Sequence, residues 1–260
     1  MPHSPAGLAE ALRASRRDLV VAAVVLFCIS IGLYMDSYGS RIDQYLLGSI
    51  AWCFLACLLR DEDREVRVQV LVAILAATLC EYTFAPAYHI YIYRFDNVPA
   101  YVPPGHGLVY LAAVALARSV FMQRYGRTLA ALALVLGSLW ALWGISFADR
   151  PDLGGAVFFL VFAVFYVFGW SRPLYVAAFF VTSYLELAGT YWGTWVWATH
   201  WPSWGGLPQA NPPSGIAAGY CFLDTVALAG AYVYIQWQAI ARALLRPLVP
   251  LRARSRQATL

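Results

Sequence analysis

The sequence predicts an all-α membrane protein, a polytopic bundle of about eight transmembrane helices. Of its 260 residues, 61% are hydrophobic and only 12% are charged, with a mean hydropathy of +0.61, whereas soluble domains carry about 25% charged residues. A bilayer core about 30 Å thick needs roughly 20 apolar residues per helix. The segments that approach this length are 19–35, 44–59, 67–90, 104–122, 128–147, 153–170, 173–197 and 213–238. Because segments 44–59 and 153–170 are short, a count of seven helices is also open.

The distribution of arginine predicts how the helices are oriented in the membrane. The chain has no lysine, and its basic residues are 18 arginines. All but Arg41, Arg94 and Arg150 flank the apolar segments on one side, as Arg13, Arg16, Arg17, Arg60, Arg64, Arg67, Arg118, Arg124, Arg127, Arg172, Arg242, Arg246, Arg252, Arg254 and Arg256. Basic residues concentrate in cytoplasmic loops. Both termini should therefore be cytoplasmic, and residues 91–104 and 198–212 should face outward.

These observations predict a multi-pass protein of a bacterial-type plasma (inner) membrane, in contact with membrane lipids. Residues 1–18 should form a cytoplasmic N-terminal segment and residues 243–260 a basic cytoplasmic tail. The net charge of +4 is dispersed over helix ends, so no nucleic-acid partner is predicted. The cysteines form no C-x-x-C pair, and the histidine spacing matches no zinc pattern. We therefore predict neither a metal site nor a cofactor, and the oligomeric state is left open.

Two similar stretches predict that the chain consists of two parallel four-helix repeats, residues 19–122 and 123–242. The first stretch reads CEYTFAPAYHIYIYRFDNVPAYVPPGH and the second LELAGTYWGTWVWATHWPSWGGLPQANPPSG. Each contains a glutamate, then two aromatic residues separated by one residue, then a Pro-Pro pair that should open the next helix, since proline suits the first helical turn. Four helices per repeat give both halves the same orientation.

Three acidic residues lie deep inside apolar segments, and we predict that they are catalytic: Glu81, Glu186 and Asp224. An ionisable group at that depth costs at least about 2.5–3.5 kcal/mol and normally faces the bundle interior. Its use can be proton donation or hydrogen bonding between helices. Since Ala115 takes the position in the first half that Asp224 takes in the second, we expect Asp224 or its closest glutamate partner to donate the proton.

Aromatic residues concentrate around these glutamates, and ring faces can stabilise a cationic intermediate. The predicted substrate-binding residues are His89, Tyr91, Tyr93, His106, Trp192, Trp195, Trp197 and Asn211.

The stretch ELAGTYWGTWVW, with its glutamate, paired glycines and aromatic-x-aromatic pair, resembles the integral-membrane carotenoid-biosynthesis hydratases. In the first half, EYTFAPAYHIYIY followed by NVP keeps the glutamate, the aromatic pair and the Val-Pro and lacks the glycines. The resemblance implies an enzyme that hydrates or protonates a double bond of a lipophilic isoprenoid, with one of the three acids as proton donor. A proton-coupled transporter, a lipid-binding membrane protein and a structural subunit are the alternatives.

Overall fold

The computed structural model describes residues 5–202 and 206–245, which fold into α-helices, one short π-helix and two three-residue strands. The helices before the first strand are α1 Pro5–Ala14, α2 Arg16–Tyr38, α3 Arg41–Leu59, α4 Arg64–Tyr82 and the π-helix Thr83–Ala87. Strand β1 Tyr91–Tyr93 is followed by α5 Val102–Arg118, α6 Val120–Ser146, α7 Leu153–Phe168 and α8 Arg172–Tyr191. Strand β2 Trp195–Trp197 and α9 Ala217–Leu245 complete the described chain. Most of the predicted tail, 243–260, lies outside the described residues.

Five of the described helices are long and apolar enough to cross a membrane. They are α2, α3, α4 with its π-helical extension, α6 and α9. Helix α7 is apolar but spans only 16 residues. Each of the eight apolar segments overlaps one of the helices α2 to α9, so the helical architecture is confirmed, while the count of eight membrane crossings stays a prediction.

Two of the predicted segments are not continuous helices. The segment 67–90 changes to a π-helix after Tyr82, around Pro86, and the segment 173–197 leaves the helix after Tyr191. Gly193, with φ +68, allows the chain to turn there. The residues that follow each turn form β1 and β2, which were not predicted as strands.

The proposed role of Pro-Pro in opening helices is correct in one half and wrong in the other. Pro103 and Pro104 lie in the first turn of α5, where a missing N–H costs nothing. By contrast, Pro212 and Pro213 lie in the turns that precede α9, which begins at Ala217. Segment 1–18 contains α1 and the start of α2, and its cytoplasmic location stays a prediction.

The central helices pack in a repeated pattern, and the outer helices do not. Helix α4 packs on α5 and on α9, and α8 packs correspondingly on α9 and on α5. A Cβ at Gly215, in the turns before α9, would lie 2.1 Å from the backbone nitrogen of Phe159 in α7, so α9 approaches α7 closely there. Helix α2 packs on α5 and α8, whereas α6 packs on α7 and α8. The internal repeat therefore stays a prediction.

One end of the bundle is held by ion pairs, and we call it the arginine-rich end. Arg118, the last residue of α5, binds Asp18 of α2 at 2.9 Å and also both carboxylate oxygens of Glu62, between α3 and α4. The side chain of Ser15 accepts the backbone N–H of Phe121 at 2.7 Å. These contacts join the α1–α2, α3–α4 and α5–α6 connections.

The opposite end, which we call the aromatic end, contains the three arginines that depart from the charge distribution. Each donates hydrogen bonds to backbone carbonyl groups. Arg41 binds Phe95 O, Arg94 binds Ser37 O and Gly39 O, and Arg150 binds Trp197 O, Ala198 O and Gln209 O. Loops at this end leave backbone carbonyl groups that need hydrogen-bond donors, and the three arginines supply these donors.

Candidate functional site

The two strands pair with each other and form a roof over the bundle at its aromatic end. They run antiparallel, with Tyr91 opposite Trp197 and Tyr93 opposite Trp195. These four side chains are buried, whereas the middle residue of each strand, Ile92 or Val196, is exposed. Side chains alternate between the faces of a strand. All four rings therefore lie on the inner face of the sheet, and we call them the aromatic roof.

Each predicted glutamate binds two side chains of the aromatic roof. Glu81 Oε2 accepts the hydroxyl groups of Tyr91 and Tyr93, both at 2.8 Å. Glu186 Oε2 accepts the indole N–H groups of Trp195 at 2.9 Å and Trp197 at 3.1 Å. The aromatic-x-aromatic spacing provides both contacts, since residues i and i+2 of a strand point to the same face.

The chain between each glutamate and the strand that covers it turns differently in the two halves. Tyr91 follows Glu81 by 10 residues, whereas Trp195 follows Glu186 by 9. A π-helix accommodates one extra residue compared with an α-helix, and Thr83–Ala87 is π-helical in the first half only. Both turns then use a residue with positive φ, which is His89 at +50 in the first half and Gly193 at +68 in the second.

Beneath the aromatic roof lies an apolar cavity of about 1070 Å³. Glu81, Glu186 and the four rings of the aromatic roof line it, together with His106 and mostly aliphatic or aromatic side chains from α2, α3, α5, α7 and α9. Ligand pockets in proteins usually measure about 300–1,000 Å³, so this cavity can hold a large apolar molecule.

The cavity also reaches the lateral surface of the bundle. Several of its apolar lining residues are exposed, among them Ile50 of α3, Val161 of α7 and Phe222 of α9. A molecule dissolved among the acyl chains of a bilayer could therefore enter between helices without crossing the aromatic end.

The first glutamate has an additional partner that the second lacks. His106 Nε2 lies 2.8 Å from Glu81 Oε1, so both carboxylate oxygens of Glu81 are bonded. The imidazole ring stacks on Tyr220 of α9, with ring centroids 5.7 Å apart. Glu186 Oε1, by contrast, has no hydrogen-bond partner among the described residues. The site therefore has two unlike halves.

Asp224 lies apart from the two glutamates. It is 3% exposed and lines a separate void of about 10 Å³ beneath the cavity. The side chains of His106 and Tyr220 line both spaces. Asp224 Oδ2 is buried without a hydrogen-bond partner among the described residues. Of the three acids predicted to be catalytic, only Glu81 and Glu186 line the cavity, because a layer that includes His106 and Tyr220 separates Asp224 from it.

Three of the predicted substrate-binding residues do not line the cavity. His89 is exposed in the turn before β1, and Trp192 makes an edge contact with Tyr34, their ring centroids 4.9 Å apart. Asn211 Oδ1 accepts the backbone N–H of Trp197 at 2.9 Å and so holds β2 in place. The other five, Tyr91, Tyr93, His106, Trp195 and Trp197, line the cavity, and their binding of substrate stays a prediction.

The sequence interpretation missed several polar residues near the site. Tyr220, four residues before Asp224 and so on the same face of α9, separates the cavity from the void. Tyr110, four residues after His106 on α5, also lines the void. Helical spacing from residues already singled out would have identified both tyrosines.

Comparison of the whole chain with protein-family models, with curated proteins and with solved structures gives no match in any of the three. The function must therefore be argued from the site itself.

Proposed function

We propose that the protein is an integral membrane enzyme that protonates a double bond of a lipophilic isoprenoid, in a hydration or in a protonation-initiated cyclisation. The observation that carries the proposal is the pair of buried glutamates, each bonded to two side chains of the aromatic roof above one large apolar cavity. An apolar substrate fits such walls, and the two carboxyl groups are the acid and base that the chemistry requires.

The proton donor in this proposal is the Glu81–His106 pair. A proton lies between Glu81 Oε1 and His106 Nε2, which are 2.8 Å apart, and both residues line the cavity. Transfer of this proton to one carbon of the double bond leaves a cation on the other carbon. Faces of the aromatic roof stabilise that cation.

Glu186 acts in the proposal as the carboxylate that completes the reaction. Indole N–H groups only donate hydrogen bonds, so Trp195 and Trp197 suit a carboxylate acceptor at Glu186 before it takes up a proton. In hydration, water adds to the cation and its released proton goes to Glu186. In cyclisation, Glu186 takes a proton from the carbon next to the final cation, which forms a new double bond.

We extend the proposal to the membrane arrangement. Eight helices cross the bilayer as two parallel repeats, with both termini cytoplasmic and the aromatic roof on the outer side. The antiparallel pairing centred on Ile92 and Val196 and the matching contacts of α4, α5, α8 and α9 support a two-fold relation between the halves. The surrounding membrane is the bacterial-type plasma membrane.

Replacement of the proposed acid and base tests this function. Glu81→Gln and Glu186→Gln each remove one ionisable group with little change in shape, and we expect product formation to fall about 10²- to 10⁴-fold, as for loss of a general acid or base. The measurement is chromatography and mass spectrometry of isoprenoids from cells that express each variant. The substrate class comes from lipids that co-purify with the wild type.

Cys28→Ser is the matched control, because Cys28 lines the same cavity without a bond to either glutamate. It should retain wild-type conversion. Full conversion by both glutamine variants would contradict the enzyme proposal. If the wild type changes no isoprenoid and instead moves a solute in a pH-dependent manner, the transporter replaces the enzyme as the function.

A further inference from the structure

A row of polar side chains continues from the site toward the arginine-rich end. On α4, the residues spaced by four positions are Glu65, Gln69, Ala73, Ala77 and Glu81. Residues at that spacing are neighbours along a helix surface. Glu65 is exposed in the first turn of α4, and Glu81 lines the cavity near the other end of the helix. The small alanine side chains between them border the void next to Asp224.

Hydrogen bonds connect the lower part of this row. Gln69 Nε2 donates to Glu65 Oε1 at 3.2 Å, and the hydroxyl of Tyr110 donates to Gln69 Oε1 at 3.2 Å. Gln69 is only 7% exposed and Tyr110 only 3%. Side chains that are polar and buried in a helix bundle are costly unless bonded, and these two are bonded to each other in the direction of Glu65.

The void joins the two ends of the row. Tyr110, Asp224 and His106 line it together, and His106 bonds Glu81. Its volume of about 10 Å³ is about the minimum that accommodates one water molecule when polar partners are present. Asp224 Oδ2, buried without a partner among the described residues, supplies the acceptor or donor that such a water needs.

The positions of the second half that correspond to Glu65 and Gln69 hold neither an acid nor an amide. The alignment that pairs Glu81 with Glu186 places Trp170 at the position of Glu65 and Leu174 at that of Gln69. Glu186 also has only indole N–H donors around its bonded oxygen. Only the glutamate that we assign as proton donor has a continuous set of groups behind it.

We propose that Glu65, Gln69, Tyr110 and Asp224, with one bound water in the void, form a proton path between the arginine-rich end and the Glu81–His106 pair. The role of this path in turnover rests on the proposed function, because the path would supply the proton that the enzyme gives to its substrate. When Glu81–His106 gives its proton to the substrate, Asp224 returns one through the water. Asp224 then takes a proton from the aqueous phase beside Glu65. The Gln69 amide turns, its Oε1 accepts a proton from Glu65, its Nε2 gives one to the Tyr110 oxygen, and the Tyr110 hydroxyl gives one to the water that bonds Asp224. For each proton that Glu81–His106 gives to the substrate the path takes up one from the aqueous phase, and Glu186 returns the proton that it accepts to water when the product leaves the cavity.

The test uses infrared spectroscopy of the purified protein in lipid, without substrate. In the wild type, the carbonyl band of protonated Asp224 is identified by its loss in Asp224→Asn. On exchange of H₂O for D₂O, this band shifts at a rate that reports proton access. Gln69→Leu and Tyr110→Phe each remove a polar link that water would have to bridge, so we expect exchange to slow by roughly ten-fold or more in both.

Two further variants separate the path from general disturbance of the fold. Gln69→Glu keeps a polar side chain and should restore fast exchange, whereas Tyr101→Phe, a cavity-lining change whose hydroxyl bonds Asp36 at 3.0 Å, should leave exchange as in the wild type. Unchanged exchange in both Gln69→Leu and Tyr110→Phe, or no band that depends on Asp224, overturns the path. Because the experiment measures proton exchange without substrate, its outcome does not depend on whether the protein acts on an isoprenoid.

Discussion

At the level of single residues, the choice of tyrosine in one half and tryptophan in the other makes two similarly placed glutamates chemically different. A tyrosine hydroxyl donates and accepts hydrogen bonds, whereas an indole N–H only donates. Glu81, bonded to Tyr91 and Tyr93, is therefore in contact with groups that can exchange protons. Glu186 is in contact with groups that can only hold its charge. The two sequence stretches are similar, but the hydrogen-bond partners of their glutamates are chemically different.

Gly189 is the residue whose replacement should disturb the Glu186 half most selectively. A Cβ at this position would lie 1.9 Å from the ring of Trp195, so Gly189→Ala must displace that ring and break its bond to Glu186. A hydrogen bond to a charged group contributes about 1.5–3 kcal/mol, and we expect a loss of that order. The measurement is the free energy of unfolding in detergent, with isoprenoid conversion as a second readout.

Gly126→Ala on α6 is the control for this variant, since a Cβ there meets nothing within 4 Å. Alanine is the better helix former by about 1 kcal/mol, so this variant should be as stable as the wild type or more stable. Equal stability of Gly189→Ala and Gly126→Ala would contradict the close contact between Gly189 and Trp195.

At the level of elements, the sequence predicted the helices well because each is a long apolar segment. It placed Glu81, Glu186 and the aromatic pairs in one functional group, since an intramembrane acid and its neighbours are rarely accidental. The strands could not be predicted by the same reasoning. Each has three residues, too few for a pattern, and each needs a partner from the other half of the chain.

The separation of Asp224 from the cavity could also not be predicted from the sequence. Spacing along α9 fixes its depth but not its packing against α5, whose His106, together with Tyr220 of α9, separates it from the cavity. Likewise, Asn211 was predicted to bind substrate, whereas its side chain accepts the backbone N–H of Trp197 in β2. The roles of such residues depend on contacts between helices and strands, and the spacing of residues along the sequence does not reveal those contacts.

The connection between α3 and α4 gives the bundle a pH-dependent link. The Arg118 guanidinium, through its hydrogen bonds, lowers the pKa of Glu62 below its ordinary value of 4.5. A carboxyl group with a lowered pKa stabilises the fold above its unfolded pKa and loses that contribution as the pH falls through the folded pKa. The wild type should therefore lose stability as the pH falls below about 4.5, the ordinary value for a glutamate.

Glu62→Gln removes this contribution. At neutral pH we expect a loss of about 1–2 kcal/mol in the free energy of unfolding, the value for a charged hydrogen bond at a partly screened site. The variant should also lose less stability than the wild type on acidification. Glu10→Gln is the control, because the exposed Glu10 lies 3.6 Å from Arg124 and such pairs contribute little. Equal pH profiles for all three proteins would exclude the proposed link.

At the level of the whole molecule, the two-stranded sheet is the point where both halves of the chain meet above the site. Each half contributes one strand, one glutamate and one helix turn, and the paired strands β1 and β2 cover the cavity at the aromatic end. Arg94 N–H binds Thr194 O at 3.0 Å, and Ala198 N–H binds Ile90 O at 2.9 Å, so the pairing extends past both strands. Neither half can form the site alone.

Cysteine cross-linking tests this pairing and the orientation of the bundle in one experiment. Ile92 and Val196 are directly opposite in the sheet, and their side chains are 45% and 49% exposed on its outer face. Opposite residues of antiparallel strands have Cβ atoms about 4.5–5.5 Å apart, close to the separation in a disulfide. In a chain without its native cysteines, Ile92→Cys together with Val196→Cys should form an intramolecular disulfide under mild oxidation.

The same cysteines report the side of the membrane. Each single variant should react with a membrane-impermeant thiol reagent added outside intact cells, because the arginine distribution predicts that the aromatic end faces outward. The double variant should react only after reduction, since its thiols are then paired. Reaction from the cytoplasmic side alone would reverse the orientation and would make the path beside Glu65 open to the outer phase. Reaction from outside without any disulfide would keep the orientation and exclude the β1–β2 pairing, and with it the enclosed cavity on which the proposed chemistry depends.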